Sequence, residues 1–197
     1  MRRPIGRVLM GIVWLAWVLM ACQSAGPSFR GTVLEPARSV PDFSLTDQRG
    51  QPFRLSDQRG RVVLLFFGYT FCPDVCPTTL GTWTRVYDAL GKDAERVRFV
   101  FITVDPERDT VERLRQHVQN FNSDFYGLTG TPDQLESVYQ IFSVYHEKDT
   151  ATQSAAGYLV SHTASTFVLD PAGQWRLLHS FGTPIDDIVH DIEQLLK

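Results

Sequence analysis

Two strand-length stretches of the chain are dominated by apolar residues, and other segments alternate. "RVVLLFF", Arg61 to Phe67, and "VRFVFITVD", Val97 to Asp105, are rich in β-branched and aromatic residues. Runs of this length and composition predict strands buried on both faces. "DFSLTDQRGQPFRL", Asp42 to Leu55, alternates apolar and polar positions on either side of "DQRG" and predicts a hairpin. "STFVLD", the turn "PAG" and "QWRLLHSF" predict an antiparallel strand pair near the end of the chain. Helical signals fall between these strands. Pro77 to Leu90 has helical spacing, and a second helix is expected to open at Asp109, with Glu112 three residues on. Thr131-Pro132-Asp133-Gln134 and Thr183-Pro184-Ile185-Asp186 each present a threonine cap, a proline and an acceptor three residues after the cap. The expected order is hairpin, β, α, β, α, short β, α, β, β, α, which makes an α/β domain with a mixed central sheet flanked by helices. A thioredoxin-like fold with an N-terminal β-hairpin and inserted elements fits this order, as do other three-layer α/β folds.

The first residues do not fit that domain. Arg2, Arg3 and Arg7 precede an apolar run from Val8 to Met20 that ends at Ala21, Cys22 and Gln23. About 20 apolar residues are needed to cross a membrane, so residues 1–21 are expected to be a signal peptide. "LMAC", Leu19 to Cys22, resembles the lipobox of bacterial lipoproteins, which implies that Cys22 is lipidated and anchors the mature chain to the extracytoplasmic face of the cell membrane. Residues 22–40 are then expected to be a membrane tether, since they carry Gly, Pro and Ser with little periodicity, although the pattern allows a short strand around Gly31 to Leu34. Residues 41–197 form the folded domain.

Charge narrows the partners. Without Arg2, Arg3 and Arg7, 16 of the 19 basic groups face 22 acidic ones, a net charge of −6. A polyanion such as nucleic acid is not an expected partner. Export also places the remaining two cysteines, Cys72 and Cys76, where a disulfide can persist.

Those two lie four positions apart in "FFGYTFCPDVCPTTL", between a buried strand and a helix. Pro77 is expected at the first helical position with Cys76 at the cap. A helix N-terminus offers unsatisfied N–H groups and a partial positive charge, which favour thiolate. A disulfide across so short a loop would add only about 2 kcal/mol by the entropic account, so a purely structural bridge is poorly motivated. Two nearby thiolates suit Cu(I), and a nitrogen ligand would extend the set to Cu(II) or to an open-sided zinc site. The histidines available are His117, His146, His162, His179 and His190. His162, in "YLVSHTAST", sits just before a predicted buried strand whose end could reach the rim that carries the cysteines. Spacing alone does not choose among the five.

Beyond this point the residues match a known pattern. "FFGYTFCPDVCPTTL", "VFITVDPERDT", "FYGLTGTPDQLESVYQIFSVYHEK" and "YLVSHTASTFVLDPAGQW" together resemble the Sco (SenC-like) proteins, the copper chaperones of cytochrome c oxidase assembly, over residues 40–197. The resemblance implies a thioredoxin-like, membrane-tethered domain that binds copper, as Cu(I) or Cu(II), through Cys72, Cys76 and His162, with the two cysteines also a redox-active pair. It implies delivery of copper to, or reduction of the cysteines of, the binuclear copper site of oxidase subunit II. A copper donor protein and a thioredoxin-like thiol reductant are the further partners expected. Many family members have an acidic residue before the histidine, where this chain has Ser161. Asp105 and Asp109 are expected at a strand end and a helix cap, with no ligand role. The alternative from the enzyme class is a metal-independent thiol–disulfide oxidoreductase.

Overall fold

A computed structural model describes residues 28–154 and 157–197. The expected signal peptide and the start of the expected tether, residues 22–27 with Cys22, lie outside them. None of the described helices is long and apolar enough to cross a membrane.

The fold is built on the two apolar runs. Strand β4 (Val62–Gly68) is buried at every position, and β5 (Val97–Thr103) at all but Arg98. They pair in parallel, Val62 to Gly68 against Val97 to Thr103. The eight-stranded sheet has the order β1-β10-β9-β4-β5-β6-β2-β3. Its outer members are the hairpin β2 (Ser44–Asp47) and β3 (Pro52–Arg54), β6 (Tyr126–Thr129), β9 (Thr166–Leu169), β10 (Gln174–His179) and β1 (Thr32–Ser39). β6 is parallel to β5, whereas β9 is antiparallel to β4. The thioredoxin-like core of mixed strands is therefore present.

Among the described residues four α-helices cover the sheet: α1 (Val75–Leu90), α2 (Val111–Gln119), α3 (Pro132–Phe142) and α4 (Ile185–Leu195). Phe66 and Phe67 point to opposite faces, as neighbours on a strand must. Phe66 meets Trp83 of α1 edge-on at 6.2 Å, while Phe67 meets Tyr139 and Phe142 of α3 at 6.1 and 5.6 Å. Phe101, beside Phe66 in register, meets His117 of α2 at 5.4 Å.

Four local expectations need correction. β1 runs through Ser39 and pairs with β10, so eight residues of the expected tether belong to the sheet. It was hard to read because it is an edge strand with no buried residue. The second helix starts one residue later than expected: Thr110 accepts from the Arg113 N–H at 3.2 Å, and Asp109 turns inward instead. The Thr131 cap holds, with a capping box to Gln134, but Thr183 donates its hydroxyl to the Ser180 carbonyl at 2.8 Å and Pro184 occupies the cap of α4. Finally, α1 begins at Val75 with Asp74 at the cap, so Cys76 and Pro77 are the second and third helical residues. Pro77 still costs nothing there, because first-turn N–H groups have no partner inside the helix.

One element has no counterpart in the expected order. β7 (His146–Ser154) and β8 (Gly157–His162) form a separate hairpin, with His146 opposite His162.

Candidate metal centre

Gly68 ends β4, and the four residues after it form the loop to Cys72. That loop is held from beneath. Asp109, fully buried, accepts from the Thr70 hydroxyl at 2.6 Å, the Thr70 N–H at 3.1 Å and the Thr103 hydroxyl at 2.7 Å. The turn closes with the Cys72 N–H on the Tyr69 carbonyl at 3.2 Å. From there α1 starts, and the Cys76 N–H, one of its otherwise unpaired first-turn donors, points at Cys72 Sγ at 3.5 Å.

Cys76 is fully buried, whereas Cys72 is half-buried, and both thiols are free. The difference sets their acidity. Cys72 is pulled down to about 3, chiefly because its sulfur accepts from the Cys76 thiol, with further help from the Asp74 and Cys76 backbone. Burial, followed by the neighbouring Cys72, pushes Cys76 well above the ordinary thiol value. One proton is in effect shared between a thiolate at Cys72 and a thiol at Cys76.

His162 reaches this pair from the end of β8. Its Nε2 lies 3.4 Å from Cys76 Sγ. Nδ1 is 3.1 Å from the Thr163 carbonyl, which can only accept, so the proton resides on Nδ1 and the Nε2 lone pair faces the sulfurs. Phe66 and Tyr69 hold the ring edge-on at 5.8 and 5.9 Å. The ligand atoms of Cys72, Cys76 and His162 all lie within 4.8 Å of one another, and among the described residues theirs is the one such cluster. Two soft sulfurs and one imidazole nitrogen at this spacing can converge on a single ion, with an open side where Cys72 and His162 are only half-buried.

The hairpin that carries His162 is fastened by side-chain contacts that no local pattern in the sequence specifies. The Tyr158 hydroxyl donates to Asp105 at 2.6 Å, and Arg108 donates to the Tyr158 carbonyl at 3.0 Å while its guanidinium lies 3.6 Å from the centre of the Tyr158 ring. Arg108 also pairs with the buried carboxylate of Asp105, and Lys148 bridges to Glu107 at 2.6 Å. "DPERDT" thus supports the site from behind: Asp109 anchors the cysteine loop and Asp105 anchors the hairpin. Acidic residues following a buried strand are the only trace of this in the sequence. Asp74 and Ser161 are exposed. The other four histidines lie elsewhere. His117 packs between Phe101 and Phe121, His146 against Tyr139, His179 beside Asp191, and His190 on the Ser28 carbonyl.

A family model described as SCO1/SenC matches residues 32–197. The chain belongs to the SCO1/SenC family. Within that family it is 34% identical to a SCO2-like protein of Rickettsia felis, over 79% of this chain and 74% of that one. The structure of Bradyrhizobium japonicum ScoI with copper bound is similar with a TM-score of 0.73 and 35% identity, covering 80% of this chain and 99% of that one. Apo Sco1 of Thermus thermophilus is similar with a TM-score of 0.76 and 41% identity, covering 88% and 100%. The SCO1/SenC match starts at Thr32, where β1 starts, so the edge strand belongs to the family's domain as well as to the sheet.

Proposed function

We propose that the chain is a copper metallochaperone. Cys72 Sγ, Cys76 Sγ and His162 Nε2 hold the ion, which is cargo, and the chain hands it to the binuclear copper site of cytochrome c oxidase subunit II. The observation that carries this reading is the convergence of the three ligand atoms within 4.8 Å, with the imidazole tautomer set for binding. The copper-bound relative from Bradyrhizobium japonicum supports the choice of metal, as does the preference of paired thiolates for Cu(I). The chain is held at the extracytoplasmic face of the membrane by a lipid on Cys22, receives copper from a donor protein and is kept reduced by a thioredoxin-like thiol reductant. Oxidation of the cysteines to a disulfide removes two of three ligands, so redox state and copper occupancy are coupled.

The asymmetry of the cysteines favours a second reading, reduction of the client's disulfide. The half-exposed Cys72 thiolate attacks a client sulfur, forming a mixed disulfide and releasing one client thiolate. Cys76 then attacks Cys72 Sγ and releases the second. The client gains two electrons, and the Cys76 proton with one from solvent protonates the two client thiolates.

One mixing experiment separates the two. Copper-loaded protein is added to metal-free subunit II whose cysteines are already reduced, and the absorbance of the binuclear centre is followed. Delivery predicts that the centre forms. If it forms only when the subunit starts oxidised and another copper source is present, the chain is a reductant. The His162→Ala variant should lose tight Cu(II) binding, and retention of wild-type stoichiometry and spectrum would refute the three-ligand site.

A further inference from the structure

Tyr69 is the first residue after β4 and lies three positions before Cys72. A tyrosine has an apolar body to bury and a polar tip to satisfy, and this one is only 2% exposed. Through its backbone and its ring it touches all three residues of the metal centre. Its carbonyl accepts from the Cys72 N–H at 3.2 Å and closes the turn. Its own N–H points at Cys76 Sγ. Its ring stands edge-on to His162, with centroids 5.9 Å apart and planes at 88°.

The phenol tip makes the longer connection. β8 belongs to a two-stranded sheet, so it has a ladder partner on one side only, and some of its N–H groups must bond elsewhere. The N–H of Val160, two residues before His162, donates to the Tyr69 phenol oxygen. Val160 is buried, where an N–H without a partner would be costly. Tyr158 on Asp105 and Lys148 on Glu107 fasten the hairpin to the segment after β5. The Tyr69 oxygen fastens it instead to the loop that carries the cysteines. Phe66 also packs against the His162 ring, at 5.8 Å, but has no polar group with which to hold β8.

We propose that Tyr69 is a positioning residue for copper, its hydroxyl fixing His162 Nε2 over the two sulfurs by tying the hairpin to the cysteine loop. The proposal rests on the three-ligand reading of the centre and names the residue that brings the third ligand into place. Its consequence is selective between oxidation states. Two thiolates suffice for Cu(I), whereas Cu(II) draws on the imidazole nitrogen, so a displaced His162 weakens Cu(II) binding and leaves Cu(I) binding nearly as it was.

The test uses the full chain and the variant Tyr69→Phe, which removes the hydroxyl and keeps the ring and the backbone bonds. In the reduced, copper-free protein, nuclear magnetic resonance should show faster amide exchange at Val160, with Val100 of β5 unchanged. Competition titrations should show Cu(II) affinity lowered about three- to ten-fold, the range of one net hydrogen bond, with an altered Cu(II) paramagnetic resonance signal and wild-type Cu(I) affinity. In a His162→Ala background the same substitution should lower Cu(II) affinity no further, because a residue acting through His162 then has nothing to position. The role is overturned if Val160 exchange is unaltered, or if Tyr69→Phe binds Cu(II) as the wild type does while His162→Ala does not. It is overturned equally if the loss persists in full without His162, or if Cu(I) affinity falls as far as Cu(II) affinity, since the substitution then acts on the cysteines. Wild-type Cu(II) binding by His162→Ala itself refutes the three-ligand centre, and the proposal with it.

Discussion

Gly68 stands directly against the sulfur of Cys76: a Cβ built on Gly68 would lie 2.7 Å from Cys76 Sγ. The same atom would lie 2.8 Å from Phe101 Cε2 and 2.9 Å from Phe66 Cε1. The strand can carry any residue here as far as backbone conformation goes, so the demand for glycine is one of space. Gly68→Ala should cost about 1–3 kcal/mol, in the range of overpacked cores, and should weaken copper binding by moving Cys76. Urea denaturation of the copper-free protein and competition with a copper chelator measure the two effects. Wild-type values in both would show that the sulfur does not sit where it is described.

The two cysteines should differ sharply as nucleophiles. With Cys72 at about 3, its thiolate is present throughout the pH range in which the protein is handled, whereas Cys76 stays a buried thiol. Iodoacetamide at pH 5.5 should label Cys72 in the reduced, copper-free chain and spare Cys76, at a rate almost flat from pH 5 to 8. Mass spectrometry of the digested protein reads both. A labelling rate that climbs ten-fold per pH unit toward 8, or first labelling at Cys76, contradicts the assignment.

Acid should destabilise the copper-free protein partly through His117. Its ring is held between Phe101 and Phe121, and burial, with Arg113 adding to it, lowers its pKa from 6.5 to about 4. Above pH 6.5 the ring is neutral in both states and has no effect on stability. Between 6.5 and 4 the unfolded chain takes up a proton that the native chain refuses, so stability falls as pH falls. His179 is lowered by burial too and acts in the same direction. In His117→Phe the stability lost between pH 6.5 and 4.5 should shrink by about 1–2 kcal/mol, allowing for partial exposure of the ring. Urea denaturation at the two pH values checks it, and an unchanged difference would exclude His117 as a source.

The elements legible in the sequence are those whose own residues decide their burial. β4 and β5 are read from their apolar, β-branched and aromatic runs, and the α3 cap from Thr131, Pro132 and Gln134. The hairpin of β7 and β8 was not, because "HEKDTATQS" has no apolar alternation and part of its support comes from Asp105, Glu107 and Arg108, about 50 residues earlier. Asp109 was misplaced for a related reason. It satisfies every local rule for a helix cap, yet Thr70 and Thr103 compete for its carboxylate, and the buried bonds prevail.

By itself the sequence determined that Cys72 and Cys76 face each other at a helix N-terminus after a buried strand, since a spacing of four and a strand-to-helix junction are local properties. It also determined the family pattern. Only the tertiary structure decided which sulfur is the thiolate, because that depends on Cys76 being buried and Cys72 half-open; the choice of histidine, open on spacing alone, came from the family resemblance, and the fold shows how that residue reaches the pair. His162 is 86 residues from Cys76 and arrives on a polar hairpin. Local periodicity records how each element meets the core; where a polar hairpin lands is set by distant hydrogen bonds and ion pairs, which leave no period in the chain.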